Sequence, residues 1–504
     1  MASKTPDSLH VVMAASEAVP YAKTGGLADV VGALSLALAK LGHQITLLLP
    51  GYGTRLPHRH RRVAMQFSVP VGGDPTDVSI EEEYVTVTGA SHPVRVLFVC
   101  HAPYFDRLGL YQQDHRDYPD NLDRFSFFCR AVIQVLHVLV DRQREKLDIL
   151  HLHDWQTALC AVYLKALSHE HTSLGSIKTL LTVHNLGYQG IFPGPEFMKT
   201  GLPSPLFSPS SLEFYGAVNC LKGGIIFSDA VSTVSPTYAR EILTAEYGCG
   251  LEGVLAHRTG GVSGVTNGID ADVWDPARDA YLPAQYCADD RSGKRVCKRA
   301  LQDELGLPGL DVPLLAVIGR LTFQKGFDLL LEILPELMGL DLQLIVLGTG
   351  DSHLEQQFTA AKEKYAQRIG LHLGFDEGLA HRIEAGSDML IMPSRYEPCG
   401  LSQLYSLRYG TVPIVRRTGG LADTVVPFRP STVTSGRATG FHFIDPSPDT
   451  LLSTILLALH VYGEQETWKA LVTSGMNQDL SWDQSARNYV KLYHRLGVRG
   501  EERG

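Results

Sequence analysis

Arg320 and Lys325 stand five residues apart in Gly319-Arg320-Leu321-Thr322-Phe323-Gln324-Lys325-Gly326, between an apolar run and a helical pattern. Two cations converging at a helix start make a clamp for a diphosphate and stabilise charge developing on a leaving group. Taken alone, they read better as a pair of solvated basic side chains. Glu397, in Glu397-Pro398-Cys399-Gly400-Leu401, offers a carboxylate that could bind sugar hydroxyls, orient a base or cap the helix behind it. Near the other end, Lys23-Thr24-Gly25-Gly26-Leu27-Ala28-Asp29 puts a lysine and two glycines where a helix begins. Free backbone N–H groups there, with no Cβ in the way, suit a phosphate, and the lysine adds a mobile charge. The letters Thr-Gly-Gly-Leu-Ala-Asp return at Thr418-Gly419-Gly420-Leu421-Ala422-Asp423. Either loop by itself could be an unrelated tight turn; the pair suggests two α/β domains presenting related loops to one cleft.

The elements that must position these residues alternate between strand and helix. Val11–Ala15 is apolar, Leu27 to Leu41 carries a helical period that Gly42 ends, and Ile45–Leu49 is the next buried strand. Residues 62–100 read as short strands and a hairpin, 101–120 as a loop, and 121–140 as a long helix. Strands at 147–152 and 178–183 end in His153-Asp154-Trp155 and His184-Asn185, the latter followed by a long Gly- and Pro-bearing loop to about residue 210. A strand at 229–234 precedes Ser235-Pro236, a helix start. Residues 255–313 read as a polar crossing segment. A second series follows: strands at 314–318, 342–347, 389–392 and 412–415, with helices at 327–334, 352–366 and 401–409, the first ended or kinked by Pro335. Ser481 opens a last helix, with Gln484 placed for a capping box. Such alternation implies doubly wound parallel sheets, whose ligands sit beyond the carboxyl ends of the strands. Glu17, the Lys23 loop, Asp154 and His184 all fall there.

The 504 residues are too many for a single core. A net charge of −9 argues against nucleic acid as a partner. The polar start and the lack of a long apolar run predict neither a leader nor a membrane segment. Eight scattered cysteines with no CxxC pair fit reduced thiols in a cytoplasm. Asp270-Ala271-Asp272 has the spelling of a metal motif, but no third ligand stands at useful spacing, so a turn is expected. His58-Arg59-His60 and His169-Glu170-His171 read as surface loops. No GxSxG elbow and no GxGxxG after the first strand is present, which disfavours a hydrolase or a NAD enzyme.

In combination, Lys23–Leu27, His153-Asp154-Trp155, Thr182-Val183-His184-Asn185, Val265-Thr266-Asn267-Gly268-Ile269-Asp270, Gly319-Arg320-Leu321 with Lys325-Gly326, and Glu397–Leu401 resemble the bacterial glycogen synthases and plant starch synthases. The resemblance runs from Val11 to about Leu496. It implies a glycosyltransferase-B fold: two Rossmann-like domains facing across a deep cleft, 1–260 on the acceptor side and 261–480 on the nucleotide-sugar side, with 481–504 packing back on the first. It implies a cytoplasmic, retaining glucosyltransferase that moves glucose from ADP-glucose to the non-reducing end of an α-1,4-glucan. It further implies no metal and no cofactor, and same-face attack in which the leaving diphosphate takes the acceptor proton. Nucleic acid and membrane are not implied partners, and no oligomeric state follows. The resemblance assigns His184, Arg320, Lys325, Glu397 and Asp154 to catalysis. To substrate binding it assigns Lys23, Gly25, Gly26, Asp29, Tyr118, Asn121, Asn185, Asn267, Gly319, Cys399, Gly400, Leu401, Thr418, Gly419 and Gly420. A UDP-glucose disaccharide synthase of the same fold, an α-glucan phosphorylase and an inactive glucan-binding protein are the competing readings; donor competition, a pyridoxal absorbance and the loss of site residues would respectively mark them.

Overall fold

The structure is a computed structural model that describes residues 8–53, 61–71, 74–113, 116–167 and 172–497. The two histidine-rich runs at 58–60 and 169–171 lie outside them. The chain divides into two α/β units. One comprises residues up to 234, 239–265 and from 482 onward; the other comprises 235–238 and 266–481.

The first unit is built on a nine-stranded sheet. Across it run Val262–Gly264, Ala230–Thr233, Lys178–Val183, Ile149–His153, His10–Ala14, Gln44–Pro50, Val94–Cys100, Asp74–Val85 and Arg62–Val71. The strands are parallel as far as Val94–Cys100; the last two add an antiparallel hairpin, longer than the short strands expected. Because side chains alternate along a strand, Val11, Met13, Ile45, Leu47, Ile149 and Leu180 share one face. The helix Gly26–Lys40 covers that face with Val30, Val31, Leu34 and Leu38, and the last helix, Trp482–Arg495, covers it with Trp482, Ala486, Tyr489 and Tyr493. The Ser481 hydroxyl donates to Asp479. The stretch after residue 185 holds more than loop. Ile191–Pro193, Glu213–Phe214 and Ala217–Asn219 pair into a small antiparallel sheet.

The second unit has six strands, all parallel: Ile369–Leu373, Gln343–Gly348, Leu314–Ile318, Met389–Met392, Val412–Arg416 and Phe441–Phe443. Leu315, Val317, Leu344, Val346, Ile391 and Ile414 pack on one face, and Leu314, Ala316, Ile345, Leu347, Leu390 and Val415 on the other. Helices therefore lie on both sides, as a doubly wound sheet requires. The helical run from Phe327 breaks at Ile333, and Pro335 sits in the first turn of the next piece, Leu334–Leu337, where its missing N–H costs nothing.

Candidate active site

In the second sheet the chain starts at Leu314–Ile318, adds Gln343–Gly348 and Ile369–Leu373 on one side, then crosses to Met389–Met392 on the other. The loops leaving Leu314–Ile318 and Met389–Met392 thus flank the topological switch point, the standard ligand position of an open α/β sheet. The first carries Arg320 and Lys325, the second Glu397. Lys325 Nζ lies 2.5 Å from Glu397 Oε2, 72 residues on. Ser394 donates to the same oxygen at 2.9 Å. Glu397 is 6% exposed, so the pair is held largely away from bulk water. Arg320 is exposed at the end of its strand. Gly319 shapes that strand end with φ +151°, and Gly326 turns the loop back at φ +68° with its Cα against the Pro393 carbonyl.

The Glu397 turn is fixed from three sides. Gln403 Nε2 donates to the Cys399 and Gly400 carbonyls at 3.0 Å each, while Gly400 takes φ +76°. The Gly420 N–H reaches the Glu397 and Pro398 carbonyls at 3.1 Å. A Cβ on Gly419 would meet the Glu397 carbonyl oxygen at 1.9 Å, and one on Gly420 would meet Cys399 O at 2.2 Å. The Thr418 loop is the floor under Glu397. Cys399 is buried, and burial pushes its thiol up to about 12; the Asn267 amide lies against its sulfur. Leu401 stands at the start of the helix Ser402–Arg408, whose first turn no side chain caps among the described residues.

In the first unit, Glu17 organises the Lys23 loop. Its carboxylate accepts from the Thr24 N–H, from Thr24 Oγ1 at 2.7 Å and from Tyr111 Oη at 2.6 Å. Lys23 Nζ sits 2.9 Å from Asp29 Oδ1 across the first helical turn. No side chain caps that helix, and a Cβ on Gly25 would meet nothing within 4 Å. The two like-spelled loops therefore differ. Asp29 holds a lysine, whereas Asp423 accepts from Ser235 Oγ, Thr237 N–H and Thr237 Oγ1 at 2.6–2.9 Å.

At the ends of two neighbouring strands of the same sheet stand Asp154 and His184. Asp154 takes φ +59° and ψ −174°, a region nearly reserved for glycine, and such strain gathers at functional sites. Its Oδ1 accepts the His184 N–H at 2.7 Å. Burial pushes its carboxyl up to about 7 despite that bond and one from the Asn185 N–H; the Glu17 charge adds to the rise. His184 Nε2 lies 2.9 Å from His153 Nδ1, and burial holds the His184 imidazole down to about 3. A neutral imidazole there is a hydrogen-bond partner, not a general base near pH 7.

The raised Asp154 carboxyl has a stability consequence. Unfolded, it titrates near 3.8; folded, near 7. Between these values the folded state keeps a proton that the unfolded state has lost, so stability falls as pH rises through the window and the loss is complete above it. The contribution is roughly 4 kcal/mol at 1.36 kcal/mol per pH unit. Asp154→Asn cannot ionise and still offers an oxygen to the His184 N–H. Its melting temperature should fall less between pH 4 and pH 7 than the parent's. Equal pH slopes for the two proteins would rule the titration out.

Other expected residues are occupied locally. Asn185 Oδ1 accepts the Gly187 N–H at 2.9 Å. Asn121 is buried, donating to the Tyr111 carbonyl at 3.0 Å and accepting from Arg124 at 2.7 Å. Tyr118 lies under the Arg107 and Arg124 guanidinium groups. Asp270 accepts the Asp272 N–H at 2.9 Å in a turn, and Asp272 pairs with Arg278. Sequence reasoning gave no role to Tyr111, Ser394 or Phe375. Phe375, 78% exposed just past Ile369–Leu373, is a bare aromatic face at the carboxyl edge of the second sheet. Its position after a strand was the available signal, but that strand went unread.

Residues 10–257 match the family model for the starch synthase catalytic domain, and residues 303–471 match that for glycosyl transferases group 1. A glycogen synthase of Anaeromyxobacter sp. (strain Fw109-5) is 46% identical over 492 residues, covering 97% of this chain and all of the relative. The chain belongs to the glycogen synthase family. A second glycogen synthase, from Koribacter versatilis, is 43% identical and covers 97% of this chain and 98% of its own. Among solved structures, the catalytic domain of starch synthase IV from Arabidopsis thaliana, bound to ADP and acarbose, superposes with a TM-score of 0.88 at 36% identity, covering 98% of this chain and all of that one. Sucrose-phosphate synthase from Thermosynechococcus elongatus shares only the fold, at 15% identity and a TM-score of 0.59. The glycogen synthase family member described here thus has the glycosyltransferase-B fold and is a glucosyltransferase. Among its described residues no helix is long and apolar enough to cross a membrane.

Proposed function

We propose that this enzyme transfers glucose from ADP-glucose to the non-reducing end of an α-1,4-glucan, keeping the α configuration and using no metal or cofactor, in the cytoplasm. The observation that carries the reading is the Lys325–Glu397 pair at the switch point of the second sheet. An ammonium there can keep one proton on Glu397 and turn another to a phosphate oxygen. Arg320, on the same loop, adds the second positive charge. Among the described residues both contacts to the Glu397 carboxylate fall on Oε2, which leaves Oε1 to accept from a sugar hydroxyl. Phe375 offers its face to the base. In the second unit Thr418, Gly419, Gly420, Gly319, Cys399, Gly400, Leu401 and Asn267 form the donor surroundings; in the first unit Lys23, Gly25 and Gly26 offer a cation and helix-start N–H groups to a phosphate. Asp154 and His184 stand by the reacting sugar. The ADP named with the starch synthase IV structure supports the donor choice.

Retention by a covalent intermediate needs a free carboxylate beside the anomeric carbon. Asp154 is turned into the main chain, and Glu17 is held by Thr24 and Tyr111. That supports same-face attack. The C1–O bond to the diphosphate breaks, the acceptor oxygen bonds to C1 from the same side, and its proton passes to the departing phosphate oxygen. The protein then supplies position and charge. All eight cysteines are free thiols, in keeping with a reducing compartment. The test is glucose incorporation into glycogen from labelled ADP-glucose and UDP-glucose, each with EDTA. Transfer from ADP-glucose that is untouched by EDTA is expected. Preference for UDP-glucose would overturn the donor, and loss on chelation the metal independence.

A further inference from the structure

Three histidines stand in a row on one face of the first sheet. His151 and His153 alternate along Ile149–His153, and His184 continues the matching face of Lys178–Val183. Ring centroids are 4.2 Å apart for His151 and His153, and 5.2 Å for His153 and His184. The last helix lies over this row. The Tyr489 ring is 5.4 Å from His151, and Tyr493 Oη lies 2.9 Å from His151 Nδ1. Burial holds all three imidazoles well below their usual range, so each is neutral at pH 7.

The proton positions follow from what each buried atom can reach. Among the described residues Tyr493 makes one hydrogen bond, to His151. Its O–H donates, because a buried hydroxyl that only accepted would leave its proton unsatisfied. His151 then carries its proton on Nε2 and donates to Thr182 Oγ1 at 2.7 Å, and Thr182 lies 2.7 Å from Ser232 Oγ. Between His153 Nδ1 and His184 Nε2 one nitrogen must hold the proton. His153 Nε2 is buried without a partner. A proton on His184 Nε2 would place an unpaired N–H at that buried atom; a proton on His153 Nδ1 leaves only a bare acceptor, the less costly choice. His153 therefore donates, and His184 carries its own proton on Nδ1.

We infer that His153 is a positioning residue that fixes His184 as an Nδ1–H donor, and that Tyr493, through His151, holds the His153 ring from the C-terminal helix. This rests on the reading of His184 as a residue beside the reacting sugar. The donor would steady a sugar oxygen without transferring its proton. The end of the chain would thereby take part in setting the acceptor-side chemistry.

Long-range proton–nitrogen correlation on the full-length, histidine-labelled enzyme reads the tautomers directly. The parent should show His184 protonated on Nδ1 and His151 on Nε2. His153→Phe keeps a ring in the row but removes the donor, and His184 should become a mixture of tautomers. Tyr493→Phe should mix His151 first and His184 to a smaller extent. In turnover, His153→Phe should lower kcat roughly tenfold with the donor KM nearly unchanged. His153→Asn, whose amide sits where Nδ1–H was, should recover most of that loss. A merely structural role would move melting temperature and both kinetic constants without moving the tautomers. An unchanged His184 tautomer in both phenylalanine variants, or His153→Asn as slow as His153→Phe, would overturn the inference. His184→Ala is the separate control: full activity there would remove His184 from the reaction and leave the tautomer result to judge the positioning.

Discussion

Lys325→Ala lowers kcat by roughly a thousandfold, while affinity for glucan stays within about threefold of the parent. The asymmetry follows from when the charge is needed. In bound ADP-glucose the diphosphate charge is spread over both phosphates and partly met by any cation nearby. As the C1–O bond breaks, new negative charge gathers on the departing oxygen, and an ammonium a few ångströms away interacts with it most strongly then. A side chain that binds the transition state better than the ground state shows its loss in kcat. One competing effect must be separated. Removing Lys325 leaves Glu397 poorly solvated with Ser394 as its hydrogen-bond donor, and an uncompensated buried carboxylate destabilises the fold. The double variant Lys325→Ala with Glu397→Gln removes that stray charge. If lost charge stabilisation dominates, the double variant recovers melting temperature and stays slow. Recovery of turnover as well would assign the defect to the stranded carboxylate, and an equal fall in kcat and glucan affinity would remove Lys325 from the leaving-group role.

The parts of this site differ in how far the chain reveals them. Arg320 and Lys325 are close in sequence, between a strand and a helix, so their place on one loop could be read directly. Glu397 could be placed at a strand end but not against Lys325. That contact depends on Leu314–Ile318 and Met389–Met392 being neighbours, a matter of sheet order rather than spacing. Position in the row of histidines was half visible. His151 and His153 alternate as strand residues on one face must, yet nothing local to them names Tyr493, 342 residues away. Strong apolar periods gave the strands 178–183, 314–318 and 389–392 at their observed bounds. The sequence reads as a polar crossing where the helix Ser292–Glu304 stands, because its buried side sets Lys298 and Gln302 beside Cys297 and Leu301. Lys294 Nζ donates to the Ala385 and Tyr409 carbonyls at 3.0 Å and to Thr411 Oγ1 at 2.8 Å, and Lys298 pairs with Asp388 at 2.6 Å. A helix that gives buried positions to an amine and an amide has few apolar residues left to mark its stripe. Strands of two or three residues among prolines, as at Ile191–Pro193, leave no period to find.

The two Gly-Gly loops should answer alanine in opposite ways. At Gly419 the backbone is left-handed, φ +43°, and an added Cβ would fall 1.9 Å from the Glu397 carbonyl oxygen, a backbone atom that cannot swing aside. Relief requires moving the Thr418 loop, the Glu397 turn, or both. Overpacking and the left-handed conformation each destabilise by about 1–3 kcal/mol, so Gly419→Ala should lower the melting temperature of the second unit by roughly 10 °C. It should also abolish transfer, since displacing Glu397 breaks its 2.5 Å contact with Lys325. At Gly25 the chain is extended, φ −164°, and a Cβ meets no protein atom within 4 Å. The fold has no need of glycine there beyond helix capping, so Gly25→Ala should cost less than about 1 kcal/mol. If the space beside Gly25 receives a donor phosphate, the methyl group takes that space, and KM for ADP-glucose should rise at least about tenfold. Calorimetry and donor titration on the two variants decide the matter. A stable, fully active Gly25→Ala would remove the Lys23 loop from the donor site, and a stable Gly419→Ala would mean that the floor under Glu397 yields more readily than its geometry allows.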